Sequence, residues 1–191
     1  MKKLVLSLCA TALLGAFTTL PALAQDMKQD MKPVMVGGAS MFPNKDIIDN
    51  AVNSKDHTTL VAAVKAASLV DTLKSAGPFT VFAPVNDAFA ALPAGTVDNL
   101  LKAENKPTLT KVLTYHVVPG RFNAAELSKQ IGMGNGRAML KTASGGTLVA
   151  SISGSDVMIT DENGGSAKVT IADVNQSNGV IHVVNKVLLP K

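Results

Sequence analysis

The spacing of apolar residues changes from a helical to a strand period along the chain. Between residues 44 and 76 apolar side chains recur every three or four positions, which predicts short amphipathic helices. From residue 137 onwards, short alternating runs are separated by glycine-containing turns, which predicts antiparallel strands. The last run, residues 180–189, is apolar on both faces, so we expect it at the centre of its sheet. The pattern predicts one α+β domain, with helices first and an antiparallel β-meander second.

Residues 77–89 carry the most specific local pattern. Gly77 and Pro78 predict a turn, and the following aromatic and β-branched run predicts a short buried strand that ends at Pro84, which has no N–H to donate. Asn86 or Asp87 then provides a side-chain acceptor for the free amides of a following helix. By alternation, Phe79 or Thr80, Phe82 and Phe89 are expected to divide between core and surface.

The first residues have the features of a secretory signal peptide. Lys2 and Lys3 precede an apolar run, and Ala22 and Ala24 form a small-x-small cleavage pattern, so we predict a signal at residues 1–24 that is cleaved after Ala24. The alternative, a membrane anchor, is disfavoured by the shortness of the apolar run. The protein is therefore expected to be secreted or periplasmic, without membrane insertion once the signal is removed. The single cysteine, Cys9, lies within the predicted signal, so we expect no disulfide.

Residues 25–42 are predicted to be a flexible, methionine-rich linker before a domain at residues 43–191. Met27, Met31 and Met35 are spaced four residues apart. Thioethers are soft ligands that suit Cu(I), but no His or Cys accompanies them, so a mobile tether is the favoured interpretation. Removal of the predicted signal lowers the formal charge of +4 to +2, and aromatic residues are only 4% of the chain, so we expect no nucleic-acid partner.

Three ordered segments resemble the fasciclin domain family. They are FTVFAPVNDAF at 79–89, LTYHVVPG at 113–120 and DVNQSNGVIHVVNKVLLP at 173–190, and the resemblance extends over about residues 44–191. Val85 and Asn185 stand where the family often has Thr or Ser and Asp, respectively. The resemblance implies a β-wedge or sandwich of about seven strands with several short helices packed around it. It also implies a non-enzymatic adhesion or interaction module.

The same resemblance points to a partner on a cell surface, in a matrix or in an envelope. This partner is expected to be a protein or a polysaccharide, and the module itself a monomer or weak homo-oligomer. Within the family, the pair equivalent to Tyr115 and His116 is the one most often implicated in partner binding, and Asn86 and Asp87 are further candidates. On a predicted strand, Tyr115 and His116 would point to opposite faces, so the favoured alternative is that Tyr115 packs in the core and His116 bonds a buried acceptor.

No catalytic or cofactor site is predicted. His57, His116 and His182 are far apart in sequence and lack the spacing of a helical zinc pair, and His182 is expected to be a core residue of the last strand. No serine lies in a nucleophile-elbow pattern. The alternative function is a small-ligand carrier or hydrolase, which requires a deep pocket with convergent polar groups near His116 or His182.

Overall fold

The structure is a computed structural model that describes residues 32–191. Its α-helices are α1 Ile47–Ala51, α2 Thr58–Ala66, α3 Val70–Lys74, α4 Asn86–Ala90, α5 Thr96–Leu101, α6 Lys106–Tyr115 and α7 Ala124–Met133. Its strands are β1 Val34–Val36, β2 Ala39–Met41, β3 Phe79–Pro84, β4 Val117–Pro119, β5 Arg137–Lys141, β6 Thr147–Ser153, β7 Asp156–Thr160, β8 Ser166–Gln176 and β9 Gly179–Val184. Single 3-10 turns cover Lys55–His57 and Ala103–Asn105.

Seven strands form one sheet in the order β4-β3-β9-β8-β7-β6-β5. Strands β5 to β9 form the predicted antiparallel meander, and β9 lies centrally between β3 and β8, as its two apolar faces predicted. The pairing of β3 with β9 is parallel, which the sequence pattern did not predict. The prediction of an α+β fold with about seven strands and several short helices is confirmed.

The sheet separates two apolar clusters. Alternation along β3 sends Val81 and Ala83 to a cluster shared with helices α1 to α4 and α6, whereas Phe82 faces a second cluster closed by α7. Both faces of β3 are therefore covered, and Phe82 and Phe89 are both buried. The prediction that these aromatic residues would divide between core and surface is wrong, because helices cover the face that an open sheet would leave to water.

The segment before the first helix is more ordered than predicted. Strands β1 and β2 form an antiparallel hairpin, and Val36 and Met41 are each only 2% exposed. The prediction of a flexible linker through residue 42 is thus wrong for residues 34–41, because two short strands supply apolar side chains to the first cluster. Met35 is exposed, and Met27 and Met31 lie outside the described residues.

Two helices are capped by the side chain of the residue directly before them. The carboxylate of Asp46 accepts a hydrogen bond from the Asp49 amide at 2.8 Å, and the side-chain oxygen of Asn123 accepts one from the Glu126 amide at 2.7 Å.

Within residues 32–191, none of the helices is long and apolar enough to cross a bilayer.

Candidate functional site

Tyr115 and His116 lie at a helix end and not on a strand. Tyr115 is the last residue of α6, His116 is its C-cap with a helical backbone, and extended chain begins only at Val117. The prediction of a strand for this pair is wrong: the apolar period of α6 continues through Leu113 to Tyr115, so the helix persists to the pair. The two side chains are 0% and 3% exposed, so neither is available at the surface.

The Tyr115 hydroxyl joins two segments of the meander. It donates to the Thr147 carbonyl at 2.8 Å and accepts from the Glu162 amide at 3.0 Å. Burial raises the pKa of Tyr115, and the hydrogen bond from the Glu162 amide partly opposes this rise. Tyr115 therefore ties the end of α6 to the start of β6 and to the β7–β8 turn.

Both ring nitrogens of His116 are engaged with the backbone. Nδ1 lies 2.8 Å from the Val112 carbonyl, and the Leu188 amide donates to Nε2 at 3.0 Å. This pattern requires the neutral tautomer with the proton on Nδ1. Burial lowers the pKa of His116 to about 4, against the opposing influences of the Val112 carbonyl and the Asp161 charge. His116 thus fixes the C-terminal segment to helix α6.

Asn86 and Asp87 do not cap the helix in which they lie. The N-cap of α4 is Val85, without a side-chain hydrogen bond, so the capping prediction is wrong. Asn86 Oδ1 instead accepts from the Thr59 amide at 3.1 Å, and its Nδ2 donates to the Lys55 carbonyl at 2.7 Å. Asn86 is the first residue of α4, and tertiary packing places its side chain at the start of α2, where free amides need acceptors. Asp87 is exposed.

His182 is a buried residue of β9 with partners on both nitrogens. Its Nε2 lies 2.7 Å from the Phe122 carbonyl, the Asp173 amide points to Nδ1 at 3.4 Å, and the ring stacks on Phe82 with centroids 5.7 Å apart. Burial lowers the pKa of His182, against the Phe122 carbonyl and the Asp173 charge. The side chain packs in the core as the alternation along the last strand predicted.

The three histidines do not converge. His57 bonds Ser54 Oγ through Nδ1 at 2.9 Å, and its buried Nε2 has no partner of hydrogen-bond geometry within the described residues. Burial lowers the pKa of His57, although the nearby Ala83 carbonyl and Asp56 oppose this shift. No group of three or more His, Cys, Asp or Glu residues suited to a metal ion occurs among residues 32–191.

One enclosed cavity lies between the helices and the sheet. Its volume is about 80 Å³, and apolar side chains such as Ile48, Leu60 and Ile181 form most of its wall. His57 and His116 contribute to the lining. The nitrogens of His116 are occupied by backbone groups, whereas the buried Nε2 of His57 is, within the described residues, an unpaired polar atom of a residue in this lining.

Asn178 links distant elements of the fold, and it is not among the residues predicted from the sequence to have a special role. Its Oδ1 accepts from the Ile47 amide at 3.1 Å, while Nδ2 donates to the carbonyls of Leu73 at 2.7 Å and Ser75 at 3.1 Å. It thereby joins α1, α3 and the turn before β9. An asparagine in a Ser-Asn-Gly turn gives no local indication of bonds to residues more than a hundred positions away.

A family model describes most of this chain. The model of the fasciclin domain matches residues 55–190, which include all three resembling segments. The chain belongs to the fasciclin domain family. Proteins with fasciclin domains are involved in adhesion and extracellular interactions.

Sequence relatives in bacteria support the same assignment. Protein sll1483 of Synechocystis sp. is 44% identical over 181 residues, which cover 94% of this chain and 93% of the relative. Immunogenic protein MPB70 of Mycobacterium bovis is 34% identical over 181 residues, covering 92% of this chain and 77% of the relative. The fasciclin domain described here is therefore similar to relatives of comparable length.

A solved structure supports the fold independently. The FAS1 domain pair of the insect cell adhesion molecule Fasciclin I matches with a TM-score of 0.69 at 19% sequence identity. The match covers 78% of this chain and 52% of the insect chain, about half of the domain pair. At this identity the likeness concerns the fold alone.

Proposed function

We propose that this fasciclin domain is an exported adhesion or interaction module that binds a protein or polysaccharide of a cell surface, matrix or envelope. The observation that carries this proposal is membership of a family of adhesion domains, over residues 55–190. The signal-peptide pattern at residues 1–24 supports export to the periplasm or the medium. We propose no enzymatic activity for the module.

The partner contacts the surface of the module and not the Tyr115 and His116 side chains. These side chains are 0% and 3% exposed, and all their polar atoms bond backbone groups. A partner that displaced them would leave the Glu162 and Leu188 amides without acceptors, which is costly in a buried environment. The pair therefore supports the surrounding surface, and substitutions there would act on binding through stability.

A small-ligand carrier or hydrolase is the less favoured function. Pockets for small molecules have volumes of roughly 300–1,000 Å³ and contain a few convergent polar groups. The cavity beneath the helices holds about 80 Å³ and is almost wholly apolar. We therefore base no carrier or hydrolase proposal on it.

Adhesion to coated beads tests the proposed function. The exported protein is coupled to beads, and the capture of cells of the producing organism is measured with and without micromolar free protein. The proposal predicts capture above that of albumin-coated beads, together with inhibition by the free protein. Equal capture by both coatings would refute it.

A variant of a buried residue makes the test specific to the surface of the module. Tyr115→Phe removes only the hydroxyl of a buried side chain, so capture should persist at a temperature at which the variant is folded.

Sequencing the N-terminus of the exported protein, expected at Gln25, tests the predicted cleavage after Ala24.

A further inference from the structure

Strand β5 forms one edge of the seven-stranded sheet. It pairs with β6, and within the described residues no strand pairs with its other side. A free edge presents backbone N–H and C=O groups on which another extended chain can form hydrogen bonds. Natural proteins usually cover or shorten such an edge, so the chemistry of this one is informative.

The register identifies which backbone groups are free. Thr142 lies opposite Gly146 and donates to its carbonyl at 3.0 Å, so this is a hydrogen-bonded pair. Because hydrogen-bonded and non-bonded pairs alternate along antiparallel strands, Arg137, Met139 and Lys141 direct their backbone groups away from β6. Ala143, two residues further on, indeed bonds outward, to the Val117 carbonyl of β4 at 2.7 Å.

On the N-terminal side of Ala143, the outer edge of β5 has unpaired backbone groups within the described part of the chain. The Arg137 amide bonds the Gly134 carbonyl at 3.2 Å. The Arg137 carbonyl lies against Gly134 of the same turn, so both outward backbone groups of Arg137 are covered. The amides and carbonyls of Met139 and Lys141 have no hydrogen-bond partner beyond β6 among residues 32–191. These groups form an edge about one short peptide in length.

The side chains of the same three residues give this edge its selectivity. Arg137, Met139 and Lys141 all face away from the core, whereas the residues between them are buried. Met139 is 77% exposed and Met133, at the end of α7, is 78% exposed; both line a shallow groove with Gln130. Exposed methionines adapt to varied apolar partners. The exposed face of β5 therefore presents a cation, an apolar side chain and a second cation in that order, from Arg137, Met139 and Lys141.

A second copy of the chain does not fit this edge well. Two β5 strands paired antiparallel around Met139 would place Arg137 of each copy directly opposite Lys141 of the other. Like charges directly opposite each other destabilise a strand pair. Neither cation has an ion-pair partner in the described part of the chain, so both are available to a ligand.

We propose that the β5 edge binds an extended peptide segment of a partner protein as an additional strand, with the pattern acidic-x-apolar-x-acidic. The acidic side chains lie opposite Arg137 and Lys141, and the apolar side chain packs on Met139 in the groove beside α7. This inference rests on the proposed function, because it names the partner class of the same interaction module. It assigns the partner to proteins rather than polysaccharides.

The sequence itself does not contain the complementary segment. Two acidic residues with a single apolar residue midway between them, at i and i+4, occur nowhere in the 191 residues; the nearest match, Asp26 and Asp30, has Lys28 at the centre. The ligand is therefore expected on another molecule.

The probe is the capped peptide Glu-Thr-Val-Thr-Glu, titrated into 15N-labelled exported protein and followed by NMR. We expect amide shifts concentrated at residues 133–143, and slower hydrogen exchange at the amides of Met139 and Lys141. The peptide Lys-Thr-Val-Thr-Lys should bind at least about tenfold more weakly because like charges then face each other.

Peptide methylation separates strand addition from simple charge attraction without changing the protein. N-methylation of the central valine removes an N–H that faces β5, and should weaken binding at least about tenfold. N-methylation of a threonine, whose N–H faces away, is the matched control and should leave binding unchanged. Equal effects of the two methyl groups would overturn the inference.

Charge reversal tests the two cations. The Arg137→Glu/Lys141→Glu variant should prefer the lysine peptide over the glutamate peptide. The Lys65→Glu/Lys102→Glu variant has the same net charge change at exposed distant positions, and should retain the wild-type preference. An unchanged preference in the first variant, or dimerisation of the free protein through β5, would overturn the inference.

The bead assay separates this inference from the proposed function. If wild-type beads capture cells but the glutamate peptide does not bind, the strand-addition inference is wrong and the adhesion function stands. If the peptide binds as described but beads capture no cells, the adhesion function fails and the β5 site stands. Where wild-type beads capture cells and the peptide binds, Arg137→Glu/Lys141→Glu beads should lose capture and Lys65→Glu/Lys102→Glu beads should retain it.

Discussion

Acidification should destabilise this domain through His116. The ring is buried, its Nε2 accepts the Leu188 amide, and burial lowers the pKa of His116 from its ordinary 6.5 to about 4. Between these two pKa values the unfolded chain binds a proton at this residue and the folded chain does not. The free energy of unfolding therefore falls as the pH falls through this window.

The magnitude follows from the two pKa values. From about pH 7.5 to about pH 5, proton binding to the unfolded state lowers the free energy of unfolding by about 2 kcal/mol at this one residue. The pKa values of His57 and His182 are also lowered by burial, so they act in the same direction. The wild-type protein should therefore lose more than the His116 share.

The assay is urea unfolding of the wild type and of His116→Gln at both pH values. Glutamine retains an acceptor for the Leu188 amide but does not titrate, so the variant should lose about 2 kcal/mol less than the wild type between the two pH values. All carboxylates and the other histidines are common to both proteins and cancel in this double difference. His116→Asn serves as a second non-titrating variant. An equal loss in all three proteins would refute the reasoning.

Three further substitutions, with Asp87→Ala as a control, test the side-chain hydrogen bonds of the core by urea unfolding at neutral pH. Asn178→Ala should cost about 3 kcal/mol because three bonds of its side chain are lost in a buried setting; a cost below about 1 kcal/mol would contradict its linking role. Asn86→Ala should cost about 1–2 kcal/mol because the start of α2 loses its acceptor, whereas the neighbouring Asp87→Ala should change stability by less than about 0.5 kcal/mol. The reverse order would show that Asp87 is the capping residue. Tyr115→Phe should cost about 1–2 kcal/mol through the unpaired Glu162 amide and Thr147 carbonyl, and an unchanged midpoint would contradict this.

The sequence by itself determined the features that depend on neighbouring residues. Helical and strand periods predicted the order of elements, because each amphipathic segment must bury one face whatever it packs against. Asp46 and Asn123 cap the helices that follow them, and this depends only on nearby sequence because the amides that they bond are three residues away. Strand β9 has apolar residues on both faces, and this pattern predicted its central position for the same local reason.

Only the tertiary structure decided which distant partner a polar side chain meets. Asn86 or Asp87 was predicted to cap the helix that follows β3. Asn86 instead caps α2, because the packing of α4 brings its Oδ1 within 3.1 Å of the Thr59 amide. The Tyr115–His116 pair was placed on a strand, and its hydrogen bonds to Thr147, Glu162 and Leu188 required the folded meander. The free groups of β5 likewise follow from sheet order, since an edge exists only once all seven strands have been placed.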